Sequence, residues 1–207
     1  MTHPLLAAFL SAAHGRFPAA DGACTVVPPL AGGLECSVGF TGHAVVATAL
    51  DPDEVAGHEP DGFGAALAPD FLRLLAGPAG TIGCVDMTLF ALGAGGTARL
   101  PELPDADHPR VRHARQLREA VRVFGDERGL VTLADGLAGR RELSIELTGK
   151  LGAGAGRALL ADALSLVRAD EPVFAAVSPG NARSVRSFLA AGFTPIGSEV
   201  VITPARV

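Results

Sequence analysis

Tryptophan and tyrosine are absent from this chain of 207 residues, and lysine occurs once, at Lys150. With a net charge of −5 and no basic stripe, the sequence carries no footprint of nucleic-acid binding. No apolar run reaches the ~18–20 residues that a membrane span requires, so no membrane association is expected. The opening MTHPLLAAFLSAAHGRF has a short apolar run with no basic residue ahead of it, which reads as an amphipathic helix rather than a signal peptide. Cysteine is scarce and odd in number. Cys24, Cys36 and Cys84 are too widely spaced for a disulfide framework or a metal-ligand pair, which predicts free thiols, no metal and a cytoplasmic setting. Against these absences, apolar residues make up 48% of the chain and charged residues 19%. That is enough to build a sizeable core and to exclude wholesale disorder.

The most informative stretch is RELSIELTGKLGAGAGRALL, Arg141 to Leu160. It starts with period-two alternation, Glu142, Ser144 and Glu146 on one face and Leu143, Ile145 and Leu147 on the other, which predicts a strand. Gly152, Gly154 and Gly156 then allow backbone conformations and close approaches that a side chain would block. From Arg157 the apolar residues Ala158, Leu159, Leu160, Ala163, Leu164 and Val167 recur as one helical face. Strand, glycine-rich turn and helix start together expose main-chain N–H groups that suit a phosphate.

Around this centre, Leu5 to Ala13 predicts a helix, and Cys24 to Leu30 a strand ended by Pro28-Pro29. Leu34 to Phe40 and His43 to Leu50, separated by Thr41-Gly42, read as a hairpin, with His43 a satisfied turn histidine rather than a catalytic one. Phe63 to Leu75 has helical spacing that Pro69 either splits or restarts. Thr81 to Leu92 predicts one buried strand, with Cys84 as inert core and Asp86 as a buried-acid candidate only where that strand borders a cleft. The loop Gly93 to Pro109 leads to an Arg-rich helix over Val111 to Ala120. The arginines Arg112, Arg115, Arg118 and Arg122 read as a solvated face, with reception of an acidic acceptor or a phosphate as the alternative; His108 and His113 read as surface residues, with a place bordering the acceptor site as the alternative. Arg122 to Phe124, Leu130 to Ala134 and Glu142 to Leu147 predict an antiparallel meander. A helix from Gly156 to Arg168, a buried strand Val173 to Val177, a helix Ala182 to Ala191 stopped by Gly192, and a final strand or hairpin complete the order. Asn181 is placed to cap the helix that follows it. The organisation expected is an N-terminal lobe at residues 1–77 and a second domain at 78–207, the latter a mixed sheet with one right-handed crossover.

Three phosphate-binding patterns compete for the glycine turn. A P-loop needs its lysine after the glycines, and Lys150 precedes them. A dinucleotide fold needs GxGxxG, and the third glycine here falls one place early, with Ser178 where an acid belongs. The segment Leu151-Gly152-Ala153-Gly154-Ala155-Gly156-Arg157, followed by Asn181-Ala182-Arg183-Ser184 and Gly192-Phe193, resembles the acyl-CoA loop and the Asn…Gly-Phe segment of the GNAT superfamily of N-acetyltransferases. The element order from Thr81 onward is similar to that family's as well. The resemblance covers the last three-fifths of the chain and leaves the N-terminal lobe outside it.

The resemblance implies an α+β fold, a GNAT-like mixed, mostly antiparallel sheet flanked by helices, here with an additional N-terminal α/β lobe. It implies acetyl-CoA as co-substrate and direct transfer of acetyl to a small-molecule or peptide amine. The cofactor contacts it implies are Leu147, through the amide near it as an oxyanion donor, then Leu151, Gly152, Ala153, Gly154, Ala155, Gly156 and Arg157 on the pyrophosphate, and Asn181 on the pantetheine arm. Glu142 and Glu146 are the candidates for the base that deprotonates the amine, against the alternative of two solvated strand residues. Two positions depart from the family: Leu151 replaces Arg or Gln, and Phe188 replaces the general-acid tyrosine. The second departure makes a catalytically silent acyl-CoA-binding or regulatory module the competing expectation. Homodimers are frequent among similar proteins, and the sequence itself is silent on oligomeric state.

Overall fold

A computed structural model describes residues 2–149 and 154–206. Leu151, Gly152 and Ala153 lie outside the described residues. The helices are α1 (Pro4–Ala13), α2 (Pro52–Ala56), α3 (Pro69–Ala76), α4 (Pro109–Leu117), α5 (Ala155–Leu164) and α6 (Ala182–Ala190). The strands are β1 (Cys24–Val27), β2 (Glu35–Phe40), β3 (His43–Ala47), β4 (Thr81–Ile82), β5 (Asp86–Leu92), β6 (Glu119–Asp126), β7 (Gly129–Asp135), β8 (Arg141–Leu147), β9 (Pro172–Val177) and β10 (Thr194–Thr203). The described residues thus form a mixed α+β fold with a mostly antiparallel, open sheet. The chain divides into two compact units, Met1–Thr88 with Ile196–Val207, and Leu89–Pro195.

In the first unit the strands run β1-β3-β2-β10, with β4 against β10. The hairpin closes where expected, Phe40 opposite His43 around Thr41-Gly42. Both faces of this sheet are covered. Phe9 of α1 packs on Phe40 with ring centroids 5.8 Å apart. On the other face Val46, Phe71, Leu72, Leu75, Val200 and Ile202 form one buried cluster, each large side chain contributing about 1.5–3 kcal/mol by leaving water. Pro69 starts a fresh helix because it needs no N–H partner at the first position, so the periodic run from Phe63 becomes a 3-10 turn at Ala65–Leu67 followed by α3.

Two expectations are corrected here. Thr81 to Leu92 is not one buried strand: β4 ends at Ile82 and β5 begins at Asp86. Gly83 lies so close to β10 that a Cβ would meet the Val201 carbonyl oxygen at 2.8 Å. In the break Cys84 is exposed, not core. The final residues form a single strand, β10, whose Ser198 to Ile202 pair antiparallel with Gly39 to Glu35.

In the second unit the order is β9-β8-β7-β6, and the meander is present: β6, β7 and β8 pair antiparallel in sequence. The first turn of α5 meets β8, since a Cβ on Gly156 would lie 3.4 Å from Leu147 Cδ1 and 3.1 Å from Ser187 Oγ of α6. Arg110 of α4 and Arg118, the residue that follows it, reach the opposite face, that of Glu142, Ser144 and Glu146, through ion pairs described below.

Candidate functional site

The two glutamates of β8 share a face and differ in environment. Glu142 is buried, and its Oε1 accepts from the Arg140 guanidinium at 2.9 Å and from the Leu137 amide at 3.0 Å, while Oε2 accepts from Arg118 Nε at 2.5 Å. Burial pushes its carboxyl up, but Arg140 and Arg118, helped by the Leu137 amide, outweigh it and hold the group below the ordinary 4.5. Both oxygens are therefore committed to protein donors, and the group behaves as a structural counter-ion. Arg140 has a fully buried side chain whose guanidinium also lies over the Phe174 ring, 5.3 Å from its centroid. Space around this carboxylate is minimal: a Cβ on Gly136 would lie 2.2 Å from Glu142 Cδ. Gly136→Ala should therefore cost about 1–3 kcal/mol by overpacking, read as a shift of the denaturant midpoint at unchanged m-value.

Glu146 is half-exposed and accepts from Arg110 Nε at 2.7 Å, the arginine being equally exposed. Between the glutamates, Ser144 Oγ and Thr132 Oγ1 lie 2.6 Å apart. Of the arginine series Arg112, Arg115 and Arg122 are exposed, as expected of a solvated face, and Arg118 departs from it. Arg118 is turned inward onto Glu142, Arg110 onto Glu146, Arg112 onto Asp107, and Arg122 onto Glu102 by two bonds of 2.8 Å. His108 caps α4, its Nδ1 accepting from the Arg110 amide.

Main-chain geometry singles out the other edge of β8. Gly129 pairs with Leu147, and the flanking Thr148 amide donates to the Arg128 carbonyl at 3.0 Å. That pattern makes Gly129–Leu147 a non-hydrogen-bonded pair, so the N–H and C=O of Leu147, and two residues earlier of Ile145, point away from β7 toward β9. On that side the parallel β8–β9 ladder registers one pair only, Glu142 with Phe174. From Leu143 to Leu147 and from Ala175 to Val177 the ladder has no pair, so the flank of β8 at Ile145 and Leu147 carries main-chain donors and acceptors outside it.

The start of α5 lies beside the Leu147 end of this flank. Gly154 is its N-cap, with φ +94° and no side-chain cap bond, so the amides of Ala155, Gly156 and Arg157 begin the helix where its positive dipole end lies. Asn181 caps α6, its Oδ1 accepting from the Ser184 amide at 3.1 Å. Phe188 is core: it is buried and packs edge-on to Phe193 with centroids 4.9 Å apart. Sequence reasoning missed Arg118 and Arg140 as partners of Glu142, and no pattern in the sequence signals them. Among the described residues no three His, Cys, Asp or Glu side chains gather as a metal site, and no helix is long and apolar enough to cross a membrane. Comparison with protein-family models and with curated proteins gave no match.

Proposed function

We propose that the chain is a cytoplasmic, acetyl-CoA-dependent N-acetyltransferase of GNAT type. The observation that carries this reading is the unpaired flank of β8 opposite β9, beside the start of α5, where Gly154 supplies no side-chain cap. An extended amide-bearing arm such as pantetheine fits a strand edge that offers alternating donors and acceptors, and a pyrophosphate suits the helix start. The Leu147 amide then donates to the thioester oxygen as negative charge develops there. The amine attacks the carbonyl carbon, the C–S bond breaks, and the thiolate takes a proton from water, since Phe188 has none to give. Glu146 is the base that takes the ammonium proton, because Glu142 is committed to two arginines. A cationic amine replaces Arg110 at Glu146 as it enters.

The test is calorimetric titration with acetyl-CoA of the wild type, Gly154→Glu and Gly154→Ala. The alanine variant carries the same strain at φ +94° without the charge. Binding that Gly154→Ala keeps and Gly154→Glu loses supports the site; no binding by the wild type ends the proposal. With an amine panel, Glu146→Gln should lower thiol release about 10²–10⁴-fold and leave acetyl-CoA affinity unchanged. The buried Phe188 favours a second reading, a silent acyl-CoA-binding module, for which acetyl-CoA would bind but no amine would release thiol.

A further inference from the structure

The first unit holds a side-chain relay that uses none of the residues proposed to bind acetyl-CoA. His43 Nδ1 lies 2.8 Å from Asp21 Oδ1, and His43 Nε2 lies 3.0 Å from Thr25 Oγ1. The proton positions follow from the chemistry. The His43 hydrogen bond holds the Asp21 carboxyl below its ordinary value, so it is an acceptor only, and Nδ1 must carry the hydrogen. In the neutral ring Nε2 is then the acceptor, and the Thr25 hydroxyl donates to it. This is the order of roles in a hydroxyl–imidazole–carboxylate relay, in which the carboxylate fixes the tautomer and the ring takes the hydroxyl proton.

Placement agrees with chemistry. His43 is buried at the start of β3, while Thr25 on β1 and Asp21 ahead of it are exposed, so the hydroxyl is open to a substrate. Strand β1 pairs with β3 alone among the described residues. The Ala44 and Thr48 amides donate to the Ala23 and Val27 carbonyls. In a parallel ladder this sets the main chain of Ala23, Thr25 and Val27 toward β3, and the Val26 N–H toward the open edge. The amide following the hydroxyl is thus available to a developing oxyanion. The 75%-exposed Phe63 packs its ring beside Gly22, whose added Cβ would lie 3.0 Å from Phe63 Cε2, and supplies an apolar platform next to Asp21. The neighbouring Cys24 is no competitor: burial, then the Asp61 charge, pushes its thiol up to about 11.

We propose that Thr25, His43 and Asp21 form a nucleophile, base and positioning carboxylate that cleave carboxylic esters bearing an aromatic or alkyl group. Thr25 Oγ1 attacks the ester carbonyl carbon as its proton passes to His43 Nε2. The bond to the leaving oxygen breaks, and His43 returns the proton to that oxygen, releasing an alcohol. Water, deprotonated by the same nitrogen, then hydrolyses the acyl-threonine to acid and free Thr25.

The test uses the full chain in a Cys84→Ala background, because that exposed thiol would itself react with an active ester. With p-nitrophenyl acetate as probe, nitrophenolate release should be accompanied by acetyl on Thr25 in peptide mapping. Thr25→Val, a change at an exposed strand position, should abolish both, and Thr25→Ser should retain them. His43→Gln should lower the rate about 10²–10⁴-fold. Asp21→Asn should lower kcat with KM unchanged and Asp21→Glu should recover part of it, a pattern that a merely structural carboxylate would not produce. Acetyl found on Lys150 or another residue instead of Thr25 overturns the proposal, as does a Thr25→Val rate within twofold of the parent. If His43→Gln loses its circular dichroism spectrum, the Thr25→Val arm decides alone.

Discussion

Glu142→Gln should destabilise the second unit by about 3–5 kcal/mol, the cost of leaving buried charge uncompensated. The glutamine keeps the size of the side chain but removes the counter-charge of Arg140, whose side chain is fully buried, and of Arg118, which is four-fifths buried. The measurement is hydrogen exchange at the amides of β7 and β8, where protection should fall. An added change distinguishes charge from shape: Arg118→Met combined with Glu142→Gln should cost less than the two single changes together, because they share one interaction. The pH dependence has a definite sign. The folded carboxyl of Glu142 lies below its ordinary 4.5, so its contribution is complete above that value. It is lost as the pH falls through the lower, folded value. Wild-type stability should therefore drop on the acid side, and the drop should shrink in Glu142→Gln.

Arg206→Ala should have an effect of similar size in the first unit, about 3 kcal/mol, although the residue lies beside the end of the chain. Its guanidinium grips Glu35 at both oxygens, 2.8 Å and 2.5 Å, and also donates to the Leu75 carbonyl. Glu35 is buried and further accepts from Thr48 Oγ1 at 2.7 Å and from the Ala49 amide at 2.9 Å. Burial pushes the Glu35 carboxyl up, and Arg206 with these two donors brings it net below the ordinary value. Without Arg206 the carboxylate keeps two donors but no counter-charge. Protection of β2 and β3 amides should fall, and Glu35→Gln added to Arg206→Ala should return part of the loss by removing the buried charge. Arg206→Lys should recover less than half of it, because an ammonium cannot offer the planar, two-pronged donor set. Unchanged protection in Arg206→Ala would show that the pair contributes nothing net.

What was legible in the sequence was local. Pro69, Asn181 and Gly192 mark helix ends by what each lacks or supplies: a missing N–H, a capping oxygen, and tolerance of φ +92°. The meander from β6 to β8 followed from alternation and turn residues, since antiparallel neighbours joined by short turns need no distant partner. The break at Gly83–Val85 was not legible, because it depends on how closely β10 approaches Gly83.

The candidate sites divide along the same line. Alternation placed Glu142 and Glu146 on one face of a strand, and glycine content marked the turn before α5. Which glutamate is committed depended on Arg118 and Arg140, brought to Glu142 by the packing of α4 and by the turn at Leu137–Gly139. The unpaired flank at Leu147 depends on where a parallel ladder stops, and a ladder formed across a helical crossover has no signature in either strand alone. His43 reads in sequence as one histidine beside a turn. Its two partners lie 22 and 18 residues away, and only the pairing of β1 with β3 brings them to opposite nitrogens of its ring. The sequence by itself determined those element ends that a residue within a few positions sets, such as the starts at Pro69 and Asn181 and the stop at Gly192. The tertiary structure decided which side chains share a charge or a proton, because those contacts depend on sheet order and helix packing.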